Sequence, residues 1–209
     1  HMSQGGIYDH FGGGYARYST DEIWLAPHFE KMLYDNAQLV HLYLDAYLVT
    51  GKTKHADVAA DIIRYVLRDM THAEGGFYSA EDADSEGHEG KFYCWTKTGL
   101  EKLLTKEEAA VVIRRYGVTE RGNFTDHSHP KPLKNQNVLS IVDPKLSDSE
   151  TKLLISAKAK MFKERATRIR PHLDDKILSS WNGLMLGALA RAHSVLGKPE
   201  FLKVAEKNL

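Results

Sequence analysis

The chain has 209 residues, and 28 Lys and Arg balance 28 Asp and Glu, so its formal net charge is zero. No basic block breaks that balance, which argues against nucleic-acid binding, because phosphate contacts need clustered Lys and Arg. No run nears the roughly 18 apolar residues of a membrane span, so no membrane partner is expected; the single cysteine, Cys94, rules out an intrachain disulfide and suits a reducing, cytoplasmic setting.

His1 and Met2 read as a cloning scar and residues 1–4 as a terminus, which leaves residues 5–209 as one expected domain. Residues 5–18, GGIYDHFGGGYARY, interleave glycine with aromatics. Glycine tolerates positive φ and close backbone approach, so this reads as an ordered loop or short hairpin. It would place Tyr8, Asp9, His10, Tyr15 and Arg17 at a cavity mouth. It lacks the spacing and the Lys-Ser/Thr of a phosphate-cradling loop.

Pro27 suits the first turn of a helix, where its missing N–H costs nothing. Apolar residues then recur from Phe29 through Leu33, Ala37, Val40 and Leu44 to Tyr47, a helical period lasting about six turns. That places His28 and Glu30 in the first turn. Gly51 is the stop, and a second helix over residues 53–71 carries Ala56, Ala59, Ile62, Ile63, Val66, Leu67 and Met70 on its apolar face. The short connection between them predicts an αα-hairpin.

Next comes AEGGFYSAEDADSEGHEGKFY, residues 73–93, with Glu81, Asp82, Asp84, Glu86 and Glu89 in one glycine-punctuated loop. Segments 76–80 and 91–96 are expected to pair as a small β-hairpin with the acidic run at its tip. A short helix is predicted over 97–104. Thr105 with Glu108, and Ser147 with Glu150, are capping-box patterns that open two further helices, to Gly117 and to about Thr167. Between them lies a polar loop, followed by a strand at 137–142. Residues 169–180 form another polar loop. A helix rich in small residues spans 180–196, Gly197 ends it, and Pro199 opens the last helix. The pattern is helix pairs separated by long polar loops, and loops of such length in a domain are usually functional.

So much negative charge at 81–89 must be solvated, ion-paired, or bound to a cation or a polyol. Asp82, Asp84, Glu86 and Gly87 follow the opening half of a calcium loop, but the twelfth position from Asp82 is Tyr93, not the bidentate Glu of an EF-hand. Three readings stay open: a solvated or Arg/Lys-paired loop, a cation-stabilised structural loop, and carboxylates facing sugar hydroxyls. Arg17, His28, Lys31 and Lys176 are the cationic candidates to face it. Cys94, between Tyr93 and Trp95, reads as a buried, inert thiol. His127 and His129 alone are too few for a metal site.

The motif GGIYDHFGGGYARYSTDEIWLAPHFEKMLYDNAQL at 5–39, with GGFYSAEDADSEGHEGKFYCWT at 75–96, GNF and NVL at 122–124 and 137–139, and RPHLDDKILSSWNGLM at 170–185, resembles the family of spermatogenesis-associated, thioredoxin-domain-containing proteins (domain of unknown function 255). The resemblance covers nearly the whole chain. The intervening DHSHPKPLKNQ departs from it, since the family joins those motifs by a shorter acidic segment. What the resemblance implies is a mostly α fold of helical hairpins. It would form part of an (α/α)6 toroid of the six-hairpin glycosidase type, similar to N-acylglucosamine 2-epimerase. It also implies a thioredoxin-like domain, absent from this sequence, as a partner in the full-length chain.

On that footing, Asp82, Asp84, His28, Glu30, Asp174 and Asp175 are the candidate catalytic residues. His28 suits acid–base work near neutral pH, and adjacent carboxylates can push one pKa up. Tyr15, Arg17, Trp24, Tyr78, Glu81, Lys176, Trp181 and Asn182 are the candidate substrate contacts, with Trp181 and Asn182 a stacking surface beside a hydrogen-bonding group. Hydrolysis or epimerisation of a carbohydrate-like small molecule is the expected chemistry, with no cofactor and no metal. The alternatives are a non-catalytic scaffold for the thioredoxin-like domain and a cation-stabilised loop domain. As an incomplete toroid, the chain is expected to leave apolar helix faces uncovered and to form a homodimer through them.

Overall fold

The helical period after residue 33 becomes α1, Leu33–Thr50, and a two-residue link leads into α2, Thr53–Asp69. Gly51 ends α1 in the left-handed region at φ +65° and returns its N–H to the Tyr47 carbonyl. These helices pack on each other, and α1 also packs on α6, Ser179–Leu196, which packs in turn on α7, Pro199–Asn208. Leu33, Ala37, Val40 and Leu44 from α1, Ile62, Ile63 and Val66 from α2, and Met185, Ala188 and Leu189 from α6 are buried. Each large aliphatic among them contributes about 1.5–3 kcal/mol. The computed structural model describes residues 1–209. In it these helices belong to a compact unit made of Gly13–Arg17, Glu30–Asp82 and Leu173–Leu209.

A three-stranded antiparallel sheet completes that unit: β3, Lys31–Met32, pairs with β4, Ala80–Glu81, which pairs with β7, Leu173–Asp174. Lys31 stands opposite Glu81, and Ala80 opposite Asp174.

The other unit consists of His1–Gly12, Tyr18–Phe29 and Ala83–His172. Its helices are α3, Lys97–Leu103, α4, Lys106–Tyr116, and α5, Asp148–Arg165. Both expected capping boxes form, at Thr105/Glu108 and Ser147/Glu150. Trp95, Leu100, Val112, Tyr116, Leu139, Leu154, Ala157 and Met161 build its main core. Two ribbons add to it: β1, Tyr18–Ser19, with β2, Pro27–His28, and β5, Asp84–Ser85, with β6, His88–Glu89.

The fold is thus mostly α, built on helical hairpins with a small β-hairpin in the acidic segment. Three local expectations need correction. The first helix begins at Leu33, not at Pro27. Residues 27–28 and 31–32 are claimed by backbone pairing with β1 and β4, so His28 and Glu30 lie outside the helix. Segments 76–80 and 91–96 do not pair with each other. Instead the acidic run folds on itself, because Glu86 (φ +53°) and Gly87 (φ +77°) supply the two positive φ angles of a tight hairpin turn. Residues 137–142 make only a bridge, Trp95 to Asn137, with a neighbouring one from Phe124 to Gln136. No helix is long and apolar enough to cross a membrane.

Candidate functional site

In the unit holding β2 and β6, His28 Nδ1 lies 2.7 Å from Glu89 Oε1, and the two side chains keep 29% and 19% of their surface exposed. The Phe29 N–H donates to the same oxygen at 3.2 Å. Tyr18, opposite His28 in the ribbon, stacks on the imidazole at 5.0 Å between centroids. The hairpin that carries Glu89 is fixed from behind: its N–H donates to Asp126 Oδ2 at 3.1 Å. Burial pushes the Asp126 carboxyl up, but the Ser128 hydroxyl and N–H and the Glu89 N–H outweigh it and hold it below the usual carboxylate range. The rings of His88 and His129 meet at a tilt beside this strand, with centroids 3.9 Å apart.

The Glu89 carboxylate on Nδ1 fixes the orientation of the imidazole ring. Asp84 is exposed and stands opposite Glu89 in the hairpin. At the turn, Glu86 pairs with Lys91 at 2.7 Å. Trp24 is partly exposed at φ +65°, in a loop whose Ile23, Leu25 and Ala26 N–H groups all donate to the Asp21 carboxylate.

In the unit holding the three-stranded sheet, Arg17 donates to Glu30 Oε2 at 3.1 Å, and its backbone N–H to the Glu30 carbonyl at 2.8 Å. A hydrogen bond to the Tyr34 hydroxyl is the main reason the Arg17 pKa is raised. Tyr34 meets Trp181 edge to face at 4.8 Å. Asp35, in the first turn of α1, is pushed up by burial, opposed by Arg17 and reinforced by Glu30. Lys176 Nζ reaches both Asp174 oxygens at 2.6 Å, while Asp175 and Asp82 are exposed. Tyr78 is partly exposed, edge-on to His72.

Three expected substrate contacts have structural posts instead. Tyr15 is 0% exposed; its hydroxyl bonds that of Tyr43 at 2.5 Å, and its backbone is held by the Asn36 amide. Glu81 is buried and accepts from the Tyr65 hydroxyl at 3.0 Å, with Lys31 Nζ lying 4.3 Å over the same ring. Asn182 is buried and clamps the backbone N–H and carbonyl of Phe77 at 2.7 and 3.0 Å. Short polar side chains next to glycine and aromatic residues are as useful for holding loops as for holding sugars. The sequence pattern does not separate the two uses.

Sequence reasoning passed over Glu89 as an individual residue, along with Asp126, Tyr34 and Asp35. The signal for Glu89 was the tight turn at Glu86–Gly87. For Asp35 there was none beyond an ordinary acidic residue in a first helical turn.

No family model matches the chain. Spermatogenesis-associated protein 20 of Homo sapiens is 40% identical over 229 aligned residues, which is 98% of this chain and 29% of that protein. An uncharacterised Caenorhabditis elegans protein is 38% identical over 99% of this chain and 32% of its own length. The chain therefore spans less than a third of the length of these relatives. Among solved structures, a D-mannose isomerase aligns at TM-score 0.34 and 15% identity, over 94% of this chain and 44% of that one. A sugar epimerase from a ruminal bacterium aligns at TM-score 0.33 and 13% identity, over 97% and 64%. Likeness that loose carries no argument about chemistry. The sequence match does settle kinship: along nearly all of its own length, this chain is a homologue of spermatogenesis-associated protein 20.

Proposed function

We propose that the chain is part of a carbohydrate-active domain, a segment of an (α/α)6 toroid, and that it moves a proton at the carbon next to a sugar carbonyl. The observation that supports this is the His28–Glu89 pair: an oriented, partly exposed imidazole at 2.7 Å from a carboxylate, with an aromatic ring against it. In an open-chain aldose the C1 carbonyl acidifies the C2–H bond. His28 takes that proton, and the electron pair moves into an enediolate. Return of the proton to C1, with the O2 proton passing to O1, gives the ketose, and return to C2 after the enediolate turns about its C2–C3 bond, so that the other face meets His28, gives the epimer. Such positioned acid–base catalysis contributes roughly 10²–10⁴-fold. Glu30, Glu86 and Asp174 are engaged in ion pairs with Arg17, Lys91 and Lys176.

The test is proton exchange. The protein is incubated in D2O with glucose, mannose and cellobiose, and loss of the C2 proton signal is followed by NMR. Exchange is expected with the wild type and is expected to fall at least about 100-fold in His28→Gln and about tenfold or more in Glu89→Gln. No exchange with folded wild type, or undiminished exchange in His28→Gln, would sink the reading.

The same ion pairs support a second reading, a non-catalytic scaffold for a thioredoxin-like domain. It predicts no exchange, together with saturable binding of a thioredoxin-like domain that His28→Gln leaves unchanged.

A further inference from the structure

Arg168, just beyond the end of α5, is a fixed cation without an anion. Its guanidinium carbon lies 3.9 Å from the centre of the Trp95 ring. Nη1 donates to the Phe92 and Cys94 carbonyls, each at 2.8 Å. Trp95 is anchored in turn, since its backbone N–H and carbonyl both pair with Asn137. This clamp uses one nitrogen of the guanidinium. Nε and Nη2 have no acceptor and reach solvent, and no carboxylate pairs with the side chain. Those two nitrogens share the edge that presents two parallel N–H groups, the geometry that a carboxylate matches with both oxygens. Burial, and then the Arg165 charge, lower the Arg168 pKa to about 10, and Glu164 offsets only part of this. Arg168 lines a cavity of about 500 Å³ in the same unit, walled also by Phe92, Cys94, Leu133, Ile169 and Lys91. That volume suits a small organic molecule. Glu86 lines it too and pairs with Lys91, so the net charge facing the cavity is the one positive charge of Arg168.

We propose that this cavity binds a small organic monocarboxylate, its two oxygens on the Nε–Nη2 edge of Arg168 and its apolar body against Phe92, Leu133 and Ile169. A single positive charge matches a monoanion. A phosphate needs donors for its remaining oxygens, and two of the hydroxyls at the cavity are already committed: Ser85 donates to the Ile169 carbonyl and Thr167 to that of Glu164. The apolar walls select for a carboxylate that carries hydrocarbon, because covering them gains the transfer energy of that hydrocarbon. Arg168 is a binding residue here, and the site rests neither on the carbohydrate reading nor on the chemistry of His28.

Titration of the chain with hexanoate, followed in amide NMR spectra, tests it, with the neutral hexanamide and inorganic phosphate as comparisons. Saturable shifts are expected with hexanoate, centred on residues 91–96 and 167–169. Hexanamide, which lacks the charge, is expected to bind at least about tenfold more weakly. Arg168→Lys keeps a cation and a donor for the carbonyls but loses the two-pronged edge, and is expected to cost about tenfold in affinity. Leu133→Trp fills the cavity without touching the cation and is expected to cost a similar factor, so the test stands even where the Arg168 variant does not fold. Undiminished binding in folded Arg168→Lys would show that Arg168 is only a clamp. Undiminished binding in Leu133→Trp would show that the body of the acid lies elsewhere. Hexanamide or phosphate binding as tightly as hexanoate would overturn the assignment to a monocarboxylate. The absence of saturable shifts up to about 50 mM hexanoate, an affinity too weak for a built site, would overturn the site itself.

Discussion

Arg165 donates to Asp9 across 2.8 Å, and each of the two side chains is only 6% exposed. The pair joins the glycine-rich N-terminal segment to the end of α5 within one unit. The guanidinium also lies 5.2 Å from the Phe92 ring and 5.5 Å from that of Tyr93. Removing one buried charge strands the other. Asp9→Ala should therefore lower the unfolding free energy by about 3–5 kcal/mol in urea titrations, while the double variant Asp9→Leu with Arg165→Met loses much less. Equal losses in the single and double variants would show that the pair is not the coupled unit described.

His10 predicts an acid limb to the stability curve. Burial, helped by the Lys158 charge, lowers its pKa to about 4, and Nε2 faces the Gly5 carbonyl at 3.0 Å. The unfolded chain protonates this histidine near pH 6.5, and the folded one does so only near 4. The folded state binds fewer protons in between, so stability is full above pH 6.5 and falls as pH drops through that window. The loss is about 3 kcal/mol. Urea midpoints from pH 7 to pH 4 should show this slope, and His10→Gln should flatten it.

Glu108 extends the loss to lower pH. Burial raises its pKa, but hydrogen bonds from Lys160, Ser156 and the Thr105 N–H outweigh that and lower it to about 2. Its stabilisation is complete above the ordinary glutamate pKa of about 4.5 and is lost as pH falls toward 2. Ser156→Ala and Lys160→Met should each move the midpoint of acid unfolding upward, as read by circular dichroism.

Two glycines with similar positive φ should respond differently to a methyl group. Gly51, at φ +65°, has open space around it, so Gly51→Ala costs only the strain of the left-handed conformation, about 1 kcal/mol. Gly14, at φ +77°, faces the Tyr65 ring, and a Cβ there would collide with it. Gly14→Ala should cost several times more in chemical denaturation. A similar cost at both sites would mean that the ring gives way freely.

Asn182→Ala should cost about 2–3 kcal/mol in the same assay. It leaves the Phe77 N–H and carbonyl unpaired in the interior and removes an acceptor for Asn208.

What could be read in the sequence is what is decided locally. The capping boxes at Thr105 and Ser147 and the helix stops at Gly51, Gly117 and Gly197 depend on residues a few positions apart, and all appear as expected. The start of α1 could not be read, because Pro27 and Lys31 are drawn into strands by partners at Ser19 and Glu81. Strands of two residues carry no alternation to detect. The site residues divide the same way. His28 announces itself as a titratable residue in a polar, aromatic segment. Glu89 matters only because a tight turn carries it back to His28, 61 positions away in sequence.

The sheet of β3, β4 and β7 also sets a timetable for synthesis. β4 can fill one edge with β3 as soon as both leave the ribosome, since Lys31–Met32 precedes it in the chain. Its other edge waits for Leu173–Asp174, made about ninety residues later. At ordinary translation rates that is roughly 5–20 s in which a nascent strand exposes unfilled backbone donors and acceptors. Slowing translation between residues 82 and 172 would lengthen the exposure, which ends only when Leu173–Asp174 has left the ribosome.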